Sequence, residues 1–180
     1  MKNIKILELS SSDINEHLLD YFNRYQEVKK YWIKKNENWI LIEKEYIEDW
    51  DKNKKDKRVK YFFDILTQNL GFVFGAYENN KLIGFSVLLN KKFGTNEQYI
   101  QLKYLHVSYG YRHNGIGKKL FELCVKKAKK IRSEKIYIST NDSEETQRFY
   151  FAIGCKDAME INKELLEEEP YDRQMEYIII

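Results

Sequence analysis

The sequence predicts an α/β fold, a mixed but largely antiparallel sheet of about seven strands flanked by helices. Three observations point there. Residues 71 to 89 form two apolar, β-prone runs around Glu78-Asn79-Asn80, the pattern of a tight hairpin. Residues 115 to 131 switch to a helical period, with Ile116, Leu120, Leu123, Cys124, Ala128 and Ile131 on one face and lysines on the others. Strand-like stretches at Tyr99 to Val107 and Lys135 to Ser139 are each followed by a helix.

Taken in chain order, Ile4 to Leu9 alternates as a strand. Ser10-Ser11-Ser12-Asp13, with Glu16 three residues after Asp13, then predicts a capped helix. Tyr25 to Asn69 is charged and aromatic, and Trp32, Trp39, Tyr46, Trp50, Tyr61, Phe62, Ile65 and Leu66 fit two amphipathic helices, with a short extended piece at Asn38 to Glu43 as the exception the pattern admits. The hairpin follows, and the loop Lys91 to Glu97 leads to the third strand of an antiparallel meander, Tyr99 to Val107. After the lysine-rich helix and the strand Lys135 to Ser139, Asp142 or Ser143 opens a helix to about Ala152, and Gly154 stands where a left-handed cap is wanted. Cys155 to Ile161 and Gln174 to Ile180 read as terminal strands around the acidic stretch Glu164 to Pro170.

No repeat, linker or composition break divides the 180 residues, so one domain spanning 1–180 is expected: residues 1–70 as an N-terminal strand and helices, 71–155 as the core, 156–180 as terminal strands. The 31 basic and 28 acidic side chains nearly cancel, which argues against a nucleic-acid partner. Cys124 and Cys155 are too few for a disulfide framework and have no neighbour at metal-ligand spacing, so no metal is expected. The charged start lacks a signal-peptide core, and no apolar run nears the ~18 residues of a membrane span. A cytoplasmic protein with no membrane partner is the expectation, as a monomer or homodimer.

The chemistry concentrates in Leu105-His106-Val107-Ser108-Tyr109-Gly110-Tyr111-Arg112-His113-Asn114-Gly115-Ile116-Gly117-Lys118, where a strand passes through a glycine-bearing loop into a helix. The first turn of a helix leaves N–H groups unpaired and carries partial positive charge, so glycines there admit a phosphate. A Walker A loop is excluded because Ile116-Gly117 stands where Lys-Ser or Lys-Thr is required. A dinucleotide fingerprint is excluded because position 120 is Leu and the preceding strands form a meander rather than a parallel sheet.

The surviving pattern, Arg-x-x-Gly-x-Gly after a strand ending Leu-x-Val, resembles the coenzyme A pyrophosphate loop of GCN5-related N-acetyltransferases. A second match, Ile136 to Asn141 followed by Thr146-Gln147-Arg148-Phe149-Tyr150-Phe151-Ala152-Ile153-Gly154-Cys155, is similar to that family's next strand and helix. The resemblance implies an acetyl-CoA-binding core over 71–155, with the acceptor side in 1–70, and a sheet splayed between its fourth and fifth strands. It implies that Arg112, His113, Asn114, Gly115, Ile116, Gly117 and Lys118 hold the pyrophosphate, and that Leu105, His106 and Val107 pair with the pantetheine arm, with Asn141 nearby. It further implies that Tyr150 protonates the departing thiolate, a role suited to a phenol whose ordinary pKa lies above a thiol's. Tyr109, Thr146 and Cys155 depart from the residues usual in the family. The reaction implied is acetyl transfer from acetyl-CoA to a primary amine of a small molecule or protein, by direct attack in a ternary complex.

The general base is not evident. Gln101 and Lys103 occupy the central strand where a carboxylate would be wanted, Glu97 precedes it, and His106 has a suitable pKa but alternates away from Val107. Glu43 to Asp51, with its carboxylates and aromatics, is a candidate to hold a cationic amine. A non-catalytic coenzyme A-binding regulatory domain, or an interaction module, are the alternatives.

Overall fold

The computed structural model describes residues 3–36 and 38–179. Its main sheet has seven strands in the order β1 (Lys5–Leu9), β4 (Gly71–Glu78), β5 (Lys81–Leu89), β6 (Tyr99–Val107), β7 (Lys135–Thr140), β9 (Arg173–Ile178) and β8 (Lys156–Asp157). All neighbours are antiparallel except β6 and β7. Helices α1 (Lys52–Thr67) and α2 (Ile116–Lys130) flank it, and α3 (Glu144–Ala152) follows β7. The fold class and the meander read from the sequence are therefore borne out. Asn79 and Asn80 turn the β4–β5 hairpin with φ of 49° and 61°, left-handed values that Asn tolerates better than most side chains.

Both faces of the sheet are covered, which explains why β5 is apolar almost throughout. On one side Ile83, Phe74 and Ala76 pack with Ile116, Leu120, Cys124 and Ala128 of α2. On the other, Leu82, Phe85 and Val87 pack with Val59, Phe62 and Ile65 of α1. Alternation along β4 divides these two cores, whereas on β5 a register shift at Ile83 puts it on the α2 side although Phe85 and Val87 pack with α1. The rings of Phe62 and Phe85, both fully buried, meet edge to face at 4.9 Å.

Between β6 and β7 the sheet opens. They pair only through Tyr99↔Lys135, Ile100↔Ile136 and Gln101↔Tyr137. Beyond that, β6 stays with β5 as far as Gly84↔Val107, and β7 stays with β9 as far as Thr140↔Arg173. The fourth and fifth strands in sheet order thus diverge, and the edge of each facing the other is left without a strand partner.

Three expectations need correction. After β1 there is only a 3-10 turn, Ser11–Asp13, whose capping box runs between Ser10 and Asp13 rather than Asp13 and Glu16; Asp13 Oδ2 accepts from Ser10 N at 2.8 Å, and Ile14 then leaves in extended geometry. Local side-chain bonds of this kind compete with helix formation. Of the two helices expected over 25–69, only the second exists. The first half is a hairpin of β2 (Gln26–Lys35) and β3 (Asn38–Glu48), a separate two-stranded sheet. Its many aromatic and β-branched residues favour strands, and cross-strand pairing such as Tyr31↔Ile42, Trp32↔Leu41 and Ile33↔Ile40 outweighs the helical spacing of the tryptophans. Finally, the strand expected at Cys155 to Ile161 shrinks to β8, and the acidic stretch becomes a short helix, α4 (Lys163–Glu168), capped by Asn162 Oδ1 accepting from Leu165 N at 3.1 Å.

Candidate active site

A cleft of about 1530 Å³ enters where β6 and β7 part. One wall is the end of β6 with residues 111–118, another is Ser139 to Asn141 with α3, and α1 with residues 24–26 and 47–50 closes the far side. Every residue expected to touch the coenzyme lines it except Asn114, which is exposed on the same loop.

The loop is built from its anchors. Ser108 N donates to Ile83 O at 2.8 Å, and the Ser108 hydroxyl accepts from Asn23 N at 3.0 Å. Arg112 turns back rather than outward: Nε donates to Val107 O at 3.2 Å, and Nη2 to Tyr25 O at 2.7 Å and Arg24 O at 3.1 Å. Its side chain therefore fastens the loop to the N-terminal segment. Asn114 Nδ2 closes the turn on Arg112 O at 2.8 Å.

His113 and Gly115 then take left-handed φ of 60° and 74°, and α2 begins at Ile116 with no side chain capping it. Among the described residues, no hydrogen bond within the chain uses the backbone N–H of any residue from 113 to 118. A run of unpaired donors at a helix start is able to hold an anion. Gly117 allows the helix to sit close to α3, since a Cβ there would lie 3.3 Å from the ring of Phe149.

Tyr150 is buried on α3, its ring centroid 5.2 Å from that of Phe149. Burial, and after it the neighbouring Cys155, Cys124 and Asp172, holds its hydroxyl well above the ordinary phenol range, so it stays protonated at any working pH. The two cysteines are free and buried, and burial pushes both thiols up to about 12, which rules them out as nucleophiles near neutrality. At the end of β7, Thr140 Oγ1 and Asn141 Oδ1 are buried without partners. Unsatisfied acceptors facing a cleft suit a ligand that carries amide donors.

His106 lies on the other face of β6 from Leu105 and Val107, as alternation requires. It is half-buried among Trp50, Phe85 and Tyr104, with ring centroids 5.0, 5.4 and 6.2 Å away. Burial, then the charges of Arg24, Arg58 and Arg112, holds its pKa well below 6.5. It is neutral, but a weak base.

Two groups escaped the sequence reading. Asp172 lines the cleft and its Oδ2 accepts from Ser139 Oγ at 3.0 Å; burial raises its carboxyl to about 6 despite that bond. Arg58, hidden in a lysine-rich helix, stacks over Tyr104 at 3.7 Å and Trp50 at 5.1 Å. Nothing local marks either residue, because the partners come from distant strands. Of the acidic cluster 43–51, Glu48, Asp49 and Trp50 reach the cleft, but Glu48 is already paired with buried Arg24 at 2.5 Å, and Glu43 lies outside with Lys30 at 3.0 Å. The hairpin is tied to the start of α3 by Tyr46 donating to Asp142 Oδ1 at 2.6 Å and Trp32 N to Asp142 O at 2.7 Å. Among the described residues no cluster of His, Cys, Asp and Glu could hold a metal, and no helix is long and apolar enough to cross a membrane.

A splayed sheet whose central strand runs into an uncapped, glycine-bearing helix start is the arrangement that the sequence resemblance implied. The family comparison agrees: the acetyltransferase (GNAT) family profile matches residues 39–154, and the chain belongs to that family. Solved structures share the fold. A protein from Bacillus anthracis described as a streptothricin acetyltransferase, in complex with acetyl coenzyme A, is 16% identical with a TM-score of 0.71, over 99% of each chain. Nourseothricin acetyltransferase is 11% identical with a TM-score of 0.70, over 98% of this chain and 99% of its own. The PaiA N-acetyltransferase of Thermoplasma acidophilum, in complex with coenzyme A, is 17% identical with a TM-score of 0.58, over 98% and 99%. No curated protein sequence matches the chain.

Proposed function

We propose that the protein binds acetyl-CoA in this cleft and transfers the acetyl group to a primary amine by direct attack in a ternary complex. The observation that carries the reading is the conjunction of the unpaired N–H groups of 113–118 with the strand edge of β6 left open beyond Gln101. In this reading the pyrophosphate lies on the N–H row, with Lys118 and the helix start adding positive charge. The pantetheine arm lies along Leu105 to Val107 as a strand would, and Asn141 Oδ1 accepts from one of its amides. The open β6 edge also offers N–H groups to the thioester oxygen as it gains charge.

The proton movements follow from burial. The acceptor arrives as an ammonium and must lose a proton before its nitrogen can attack. Asp172, raised to about 6, is ionised near neutrality yet basic enough to take that proton, directly or through one water. His106 is the poorer candidate because its surroundings oppose protonation. Attack gives a tetrahedral oxyanion; its collapse breaks the C–S bond, Tyr150 donates to the departing sulfur, and the second proton shed by the attacking nitrogen restores the phenol through solvent. A sulfur leaving beside the buried Tyr150 is partly desolvated, which raises its basicity and narrows the gap to the phenol.

Calorimetry with coenzyme A and acetyl-CoA, followed by thiol release with a panel of amines, tests the reading. Saturable binding with amine-dependent thiol release is expected. Binding without turnover on any amine would instead make the protein a coenzyme-sensing domain.

A further inference from the structure

The side of the cleft away from the loop carries charges that the coenzyme does not use. α1 presents Lys54, Lys57, Arg58 and Tyr61 to it, spacings that share one helix face. Arg58 is central: its guanidinium rests on the rings of Tyr104 and Trp50, and its buried Nε has no hydrogen-bond partner. The nearby carboxylates are engaged elsewhere. Glu48 pairs with Arg24 at 2.5 Å, Glu168 with Lys103 at 3.6 Å, and Asp49 Oδ1 accepts from Trp50 N at 2.7 Å. A guanidinium stacked on aromatic faces keeps its in-plane N–H donors for a carboxylate or phosphate. Across the gap, Asp172 and Glu169 supply negative charge, with Asp172 bonded to Ser139 of β7 while Arg58 leans on Tyr104 of β6.

We propose that the acceptor is a zwitterionic amine, whose carboxylate or phosphate is held by Arg58 with Lys57 beside it while its ammonium end faces Asp172 where β6 and β7 part. The inference rests on the acetyl-transfer reading and narrows it. It gives residues 43–51 a smaller part in holding a cationic amine than the sequence suggests, since Glu48 is paired with Arg24 and α1 brings basic side chains to the cleft.

The test uses the full chain with saturating coenzyme, so that the 113–118 loop is occupied. Thiol release is compared for amino acids against their carboxamides, for phosphoethanolamine against ethanolamine, and for a polyamine. The anionic member of a pair is expected to give a kcat/KM at least ~10-fold higher, and the pair with the larger ratio tells carboxylate from phosphate. Arg58→Gln should erase that ratio with coenzyme affinity unchanged, and Arg58→Lys should restore part of it. Lys57→Gln, at an exposed position that folding tolerates, should reduce the ratio by a smaller ~3-fold. Equal or better turnover of the carboxamides, of ethanolamine or of the polyamine would overturn the inference and leave acetyl transfer standing, as would a ratio unaffected by Arg58→Gln. If acetyl-CoA binds but no amine of any charge releases thiol, acetyl transfer itself fails and the inference falls with it.

Discussion

The two sides of the cleft are built on different principles. On the side where we propose that the coenzyme binds, backbone geometry dominates: a strand edge with no partner, left-handed residues at 113 and 115, and N–H groups that no side chain caps. On the acceptor side, side chains form it, with Arg58 on aromatic rings, Arg24 paired to Glu48, and Asp172 on Ser139. Backbone donors read any diphosphate, whereas side chains brought together from several elements read one acceptor. A change in the first region should therefore alter coenzyme binding, and a change in the second should alter turnover or acceptor choice.

The largest effect is expected at Gly117. A valine there would push its Cβ towards Phe149, already 3.3 Å from that position, and hold the pyrophosphate away from the helix start. Coenzyme affinity by calorimetry should fall by about 100-fold, or ~2.7 kcal/mol. Retained affinity would mean that the loop is not the anion site. Next comes Tyr150→Phe, which should lower kcat by ~10- to 100-fold with little change in coenzyme affinity; an unaltered kcat would reduce Tyr150 to a packing residue.

Asp172→Asn sharpens the contrast through pH. In the wild type, kcat/KM should drop as pH falls through about 6, because the carboxylate becomes protonated and can no longer accept the amine's proton. The variant should be slower by ~10-fold or more and lose that limb. Linkage gives a second readout. Asp172 has a folded pKa raised above its ordinary value, so its contribution to stability is fully present at low pH and is lost as pH rises from about 4 through about 6. The asparagine removes this pH-dependent loss, and melting curves across that window would detect it. If the acidic limb persists in Asp172→Asn but vanishes in His106→Gln, the histidine is the base.

The smallest effect belongs to Tyr46→Phe, which cuts the 2.6 Å bond to Asp142 that ties the hairpin to α3. Stability should fall by about 1 kcal/mol. The acceptor KM should rise a few-fold while coenzyme affinity stays put, a split visible by steady-state kinetics; equal changes in both would mean that the hairpin supports the two sides alike.

How far each region could be read from the sequence follows the same division. The elements around the 113–118 loop were legible because backbone demands leave local marks: Asn79-Asn80 at a tight turn, Gly115 at a left-handed position before a helix, Gly154 with φ of 97° after α3, and an apolar stripe from Ile116 to Ala128. The N-terminal half was misread where two periods overlapped. Trp32, Trp39 and Tyr46 recur at helical spacing, yet their neighbours Val28, Ile33, Ile40 and Ile42 are β-branched, and pairing between β2 and β3 decided the outcome. Asp172 and Arg58 were illegible for another reason. Their properties come from burial against Ser139, Tyr104 and Trp50, partners that no local pattern connects to them.

The central claim, that a diphosphate is held by the unpaired N–H groups entering α2, is tested most directly by following backbone amide resonances while coenzyme A is titrated in. The largest shifts are expected at residues 113 to 118, with smaller ones at Leu105 to Val107 and Asn141, all saturating with one affinity. Saturable binding that leaves the amides of 113 to 118 unmoved would contradict it.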